Sequence, residues 1–158
     1  MSETVYVESS VISYLTARPS RDIVVSARQA ITENWWKHQR SEYELFISGL
    51  VVQEISKGNE EAARKRLAAI AGIPLLSMPE EVLGLAKNLL AQGSVPPNSE
   101  EDAFHIAIAA VSGINFLLTW NFKHINNAHT KALISSAVEA HGFICPVLCS
   151  PEELGEKI

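Results

Sequence analysis

Short apolar runs alternate with stretches of helical spacing along this chain. Residues 4–7, 45–48, 73–77, 114–119 and 144–148 read as strands, each made largely of β-branched or large apolar side chains. Proline in 73–77 marks that run as a strand start or a sheet edge. Helical segments lie between the strands. Residues 11–15 form a turn or two closed by Arg18-Pro19, and 22–39 form a long helix capped by Ser20 or Asp22. In that long helix Ile23, Ala27, Ala30, Ile31 and Trp35 recur at helical spacing. Further helices are expected over 49–55, over 60–70, over 79–92 with Pro79 at the first position, and over 128–141, stopped by Gly142.

The most informative stretch is residues 100–125. Three acids open it, an apolar helix follows, Ser112-Gly113 turns the chain, and the fourth strand ends at Trp120-Asn121-Phe122-Lys123-His124. The loop 93–99 offers Asn98 or Ser99 as the helix cap. From Ala103 to Val111 almost no solvated face remains, so this helix belongs deep in the domain. Asp102 and His105, three apart, share a face near its start. A carboxylate beside so much apolar surface is costly unless it is paired, hydrogen-bonded or bound to a cation.

Strands alternating with helices give an α/β fold with a central parallel five-stranded sheet flanked by helices on both faces. Residues 1–149 form the single domain and 150–158 a polar tail. In such sheets the ligand crevice opens outside the carboxyl ends of the strands. Glu8 follows the first strand, Asn121 the fourth, Glu54 lies a turn or two past the second, and Asp102 opens the helix before the fourth. All four can reach one end of the sheet. Clustered carboxylates without paired histidines or cysteines favour a hard cation, Mg2+ or Mn2+. Such an ion acidifies a bound water and neutralises charge on a phosphodiester. Without it, the acids repel one another and their pKa values rise. With 18 Asp and Glu in the chain, spacing alone is a weak signal.

Composition narrows the class. A chain of 158 residues, 47% hydrophobic and 20% charged, is one globular domain rather than a disordered segment. A net charge of −5 argues against tight non-specific duplex binding but leaves room for a local basic rim, for which Arg18, Arg21, Lys57, Lys123 and His124 are candidates. Arg64-Lys65-Arg66 is expected to face solvent on a mixed-charge helix. Cys145 and Cys149 have no grouped partner ligands and read as reduced thiols near the last strand. No leader and no long apolar run is seen, so neither export nor membrane insertion is expected, and the cytoplasm is the default address.

The order strand, E-S-S-V-I-S-Y-L, then V-V-Q-E-I, then E-D-A-F-H-I-A-I-A, then L-L-T-W-N-F resembles PIN-domain proteins, and among them the VapC-like toxin ribonucleases of toxin–antitoxin pairs. The resemblance spans roughly residues 5–148. It implies a PIN-like fold, an Mg2+- or Mn2+-dependent endoribonuclease acting on RNA, a homodimer, and an antitoxin that enters the active-site groove. By position, Glu8, Glu54 and Asp102 match the family's first three acids and would ligate the metal. Ser10 matches the hydroxyl residue that holds the site by hydrogen bonds. Glu8 stands where Asp is usual. Asn121 stands at the fourth position, where Asp is common, and it keeps an oxygen but loses a charge.

Plainer readings stand beside these. Asn121 also suits a turn, and His105 suits a core histidine that orients a carboxylate, Asp102 being its sequence neighbour. Trp35-Trp36 suits helix packing or a dimer face better than base stacking. The alternative function is a weakened or inactive PIN-like module that binds RNA or protein. A phosphatase on a doubly wound sheet is a further rival, but no D-x-D motif follows the first strand.

Overall fold

The computed structural model describes residues 2–155 and shows the expected α/β architecture. Strands β1 (Glu3–Val7), β2 (Tyr43–Ser48), β3 (Leu75–Leu76), β4 (Phe116–Leu118) and β5 (Val147–Cys149) form one sheet in the order β3-β2-β1-β4-β5. Every pairing is parallel. Helices α1 (Ser9–Thr16), α2 (Ile23–Asn34), α3 (Gly49–Ile55), α4 (Glu60–Ala69), α5 (Glu80–Ala91), α6 (Glu100–Val111) and α7 (Lys131–Ala140) supply the crossovers. None of the helices in this region is long and apolar enough to cross a membrane.

Central strand β1 contributes Val5, Tyr6 and Val7, all fully buried, as a strand covered on both faces requires. Strand β3, directly after Pro74 and only two residues of the expected 73–77 run, is at one edge, as Pro74 implied. The apolar helix α6 is the deepest, with Ala103 and His105 to Ala110 all buried. It ends at Gly113, whose φ of 70° is one that L side chains rarely adopt. From β1 the chain winds out to β2 and β3, then crosses to β4 and β5 on the other side. Strand order therefore reverses between β1 and β4, the position outside whose carboxyl ends open parallel sheets place their ligands.

Several local expectations are corrected. The apolar stripe of α2 faces the core only at its C-terminal end, at Ile31 and Trp35: Ile23 is 86% exposed, Ala27 and Ala30 are exposed, and the buried residues of α2 are Gln29 and Thr32. These polar side chains are spent on bonds. Thr32 Oγ1 accepts from Trp120 Nε1 at 2.8 Å, and Gln29 Nε2 donates to the Arg18 carbonyl at 2.9 Å. Asp22, not Ser20, caps α2 through Val25 N–H. The helix closes in a π turn, Trp35–Gln39. Pro79 occupies the cap position before α5, and α7 begins at Lys131 rather than at residue 128. The strands β4 and β5 are shorter than their apolar runs.

The polar tail is corrected too. Residues 150–155 pack on the domain: Ser150, Pro151 and Leu154 are buried, and the Leu154 carbonyl accepts from Trp35 Nε1 at 2.8 Å. The rest of that tail, 156–158, lies outside the described residues. Trp35, 1% exposed and stacked on Tyr43, is a core residue, while half-buried Trp36 lies under the Arg40 guanidinium.

The contrast between α6 and α2 is measurable. Ile106→Ala, at a fully buried position, should cost about 2–5 kcal/mol in a denaturant titration, whereas Ile23→Ser should stay within about 0.5 kcal/mol of wild type.

Candidate functional site

The site grows from the ends of β1 and β4. Val7 pairs with Leu118, so the next residues, Glu8 and Thr119, emerge side by side where the strand order reverses. Glu8 is the N-cap of α1. Its Oε2 accepts from Ser10 N–H at 3.1 Å, and its Oε1 accepts from Ser10 Oγ at 2.5 Å and Thr119 Oγ1 at 2.6 Å. These donors and the positive helix terminus offset the burial of a carboxylate only 7% exposed. Ser10 holds Glu8 as expected and also accepts from Trp120 N–H at 2.8 Å, tying α1 to the end of β4.

Glu54 approaches on α3, which starts directly after β2 with Ser48 as its cap. Its Oε1 accepts from Ser9 Oγ at 2.5 Å and lies 2.7 Å from His105 Nε2. His105 is therefore a carboxylate-orienting residue, but the acid it orients is Glu54 rather than Asp102. On its other side Nδ1 lies 2.7 Å from the Tyr6 hydroxyl, itself 2.7 Å from Ser48 Oγ. Ser48 Oγ also accepts from Val51 N–H. With both ring nitrogens protonated, the chain has one consistent sense: His105 donates to Glu54 and to Tyr6, and Tyr6 donates to Ser48.

Charge explains that arrangement. Burial favours a neutral His105, but its hydrogen bond to Glu54 and the negative charges of Glu8, Glu54 and Asp102 outweigh burial and raise its pKa. Burial likewise favours a neutral Glu54. The His105 hydrogen bond and charge, with help from Glu101 and Ser9, reverse this and hold the carboxyl at about 2. Glu101 moves the other way, raised by its hydrogen bond to Glu54 and by the Glu54 charge, with Lys57 opposing. Burial pushes the Tyr6 phenol well up, so it stays a neutral relay.

Asp102 is held by a separate network. Asn121 Nδ2 donates to its Oδ1 at 3.1 Å, and His124 Nδ1 lies 2.9 Å from its Oδ2. Asn121 N–H in turn donates to Thr119 Oγ1, linking this network back to Glu8. Two expectations change here. The Asn121 oxygen accepts from the Lys123 and His124 N–H groups, which uses both lone pairs, so Asn121 offers the site an amide donor and no metal-ligating oxygen. His124 is not a free rim cation, since its Nδ1 is engaged by Asp102 and lies 3.1 Å from Ser99 Oγ. Ser99 sits at the cap position of α6 without making a side-chain cap bond.

Ligand atoms of Glu8, Glu54 and His105 lie within 4.8 Å of one another, a grouping able to hold a cation among the described residues. His105 already spends both nitrogens on Glu54 and Tyr6, so the carboxylate oxygens are the better donors. Asp102 flanks the group from one turn earlier on α6 rather than joining it. Beside Asp102 a depression of about 490 Å³ is lined by residues 97–102 and His124. Of the expected basic rim, Lys57 lies near Glu101, Arg21 and Lys123 are exposed, and Arg18 sits at the far end of α1.

Sequence reasoning missed Tyr6, Ser9, Thr119 and Glu101. Glu101 carried a readable signal, because it is four residues before His105 and shares its face of α6. Nothing in Val5-Tyr6-Val7 marks the tyrosine as a polar relay. No protein-family model and no curated protein matches the chain.

The buried pair sets a pH window for the cation-free protein. The raised His105 contribution is fully present below its unfolded value near 6.5 and is lost as pH rises through its folded pKa. The lowered Glu54 contribution is present above about 4.5 and is lost as pH falls towards 2. Urea midpoints measured in EDTA should show wild type exceeding His105→Gln most between about pH 4.5 and 6.5, with the gap narrowing on both sides.

Proposed function

We propose that this chain is an Mg2+- or Mn2+-dependent endoribonuclease of the PIN-like, VapC-like kind, the toxin of a toxin–antitoxin pair. The observation that carries the reading is the convergence of Glu8 and Glu54, flanked by Asp102, at the point where the strand order reverses. The donor set suits the ion: carboxylate oxygens are hard ligands, and the nearest nitrogens are already committed to protein partners. Glu8, Glu54 and Asp102 would hold it. When bound, the ion supplies an acidified water and neutralises charge developing on an RNA phosphodiester.

The chain's own residues prepare that chemistry. Ser10 and Thr119 fix the Glu8 carboxylate, and His105 keeps Glu54 ionised and aimed. Asn121 and His124 fix Asp102. The depression beside Asp102 gives room for an unstacked nucleotide, the form in which proteins read RNA. The same reading includes a homodimer, a cytoplasmic address and an antitoxin whose residues enter the groove.

Cleavage of a mixed RNA pool at limiting Mn2+ tests the reading. Wild type should cut, EDTA should abolish cutting, and Asp102→Asn should lower it by roughly 100-fold or more. No cleavage, together with no Mn2+ binding by calorimetry, would sink it.

A second reading draws on Asn121. With its oxygen spent in the turn, the fourth position adds no negative charge, as suits a weakened nuclease or an inactive RNA- or protein-binding module. Asn121→Asp separates the two. The new carboxylate faces Asp102, so the variant should melt below wild type in EDTA. In a working metal site, Mn2+ should more than restore the melting temperature and raise cleavage. In a scaffold, Mn2+ should change neither.

A further inference from the structure

RNA cut at the acid cluster has to be held beyond it, because carboxylates repel its backbone. Between α1 and α4 a cavity of about 390 Å³ has the opposite character. Arg18, Lys65 and Arg66 line it against one acid, Glu61, with Thr16 and Asn59 adding polar groups. Three cations to one anion is an exception on a chain of net charge −5. The expectation that these residues face solvent holds for Arg64 and Lys65, both exposed, and is corrected for Arg66, which is partly buried; Lys65 and Arg66 line the cavity and Arg64 lies outside it.

The walls are fixed in advance. Arg66 Nε donates to the Ile55 carbonyl at 2.9 Å and its Nη2 to the Lys57 carbonyl at 2.7 Å, leaving three of the five guanidinium N–H donors unspent by these bonds. On the opposite wall, buried Gln29 donates to the Arg18 carbonyl and accepts from Ser20 N–H at 3.0 Å, bracing the loop that carries Arg18. Both walls lead to the acids. Helix α1 starts at Ser9, which donates to Glu54, and lines the cavity from Ser13 to Thr16, about 6 to 10 Å along its axis. That is the span of about two to three stacked nucleotides at roughly 3.4 Å each. The carbonyl that Arg66 holds belongs to the residue after Glu54.

We propose that this cavity binds a backbone phosphate of single-stranded RNA lying a few nucleotides from the scissile bond, with Arg18, Lys65 and Arg66 as its cations. The proposal rests on the nuclease reading and adds to it a preference for RNA long enough to reach the cavity. A planar guanidinium already fixed in place suits phosphate without reading base identity.

The test uses the full chain with Mn2+ and two single-stranded RNAs, one spanning both sites and one covering the acid cluster alone. Arg66 stays intact because it braces α3. Arg18→Ala combined with Lys65→Ala should raise KM for the long RNA about tenfold with kcat unchanged, and leave the short RNA within about twofold. The slope of log affinity against log salt should shrink by about 0.7 for the long RNA, the contribution of one neutralised single-strand phosphate. Arg64→Ala should behave as wild type. If wild type cleaves and the double variant keeps its KM and salt slope on the long RNA, the cavity proposal is overturned and the nuclease reading stands. A loss of equal size in Arg64→Ala would also overturn it, as a general field effect. A wild type that neither binds nor cleaves either RNA overturns both.

Discussion

Carboxylates brought to one edge of a sheet repel one another, and a fold that keeps them there must supply positive charge or protons nearby. Here the compensation is internal. His105 is held inside the apolar helix α6, hydrogen-bonded to Glu54 on one side and to the Tyr6–Ser48 pair on the other. Its raised pKa follows from the same acids whose repulsion it relieves. The contact joins β1, α3 and α6, so the position of the second acid depends on a residue in the middle of the sheet. Glu101 responds at the surface, where its hydrogen bond to Glu54 and the Glu54 charge raise its pKa.

Sheet topology decides where that charge can gather. Because β1 is central and β4 lies on its other side, Glu8 and Thr119 are neighbours despite a separation of 111 residues. The hydroxyls of Ser9, Ser10 and Thr119 are all directed at carboxylates. Small donors satisfy a carboxylate here without the bulk or charge of lysine or arginine.

Much of this was legible in the sequence, for identifiable reasons. The strands are short apolar runs, and the fully apolar span of α6 admits only a deep position. The acids follow strands or open helices, which places them at one end of a parallel sheet. The failures have physical causes too. Periodicity locates a stripe on α2 but does not say how much of it is buried, and here Gln29 and Thr32 are buried with their polar atoms bonded to the Arg18 carbonyl and to Trp120. Within the cluster that ends the fourth strand, Trp120 is 4% exposed and packs with Tyr14 and Phe122. Asn121, balanced in the sequence between site and turn, has its oxygen in the turn and its amide on Asp102. Hydrogen bonds of this kind depend on which atom points where, and residue order does not encode that directly.

The separation between Glu8 and Thr119 also bears on synthesis. Domains form as the chain emerges, N-terminal parts first, and contacts between distant residues wait for the later partner. Glu8 leaves the ribosome long before Thr119 and Trp120 N–H, the groups that anchor it and Ser10, exist. His105 and Asp102 also follow after most of the sheet has been made. An unfinished polypeptide therefore carries the first two acids without the geometry that joins them. The cluster comes into being only once β4 and Trp120 have been made, so a chain that stops short of them lacks it.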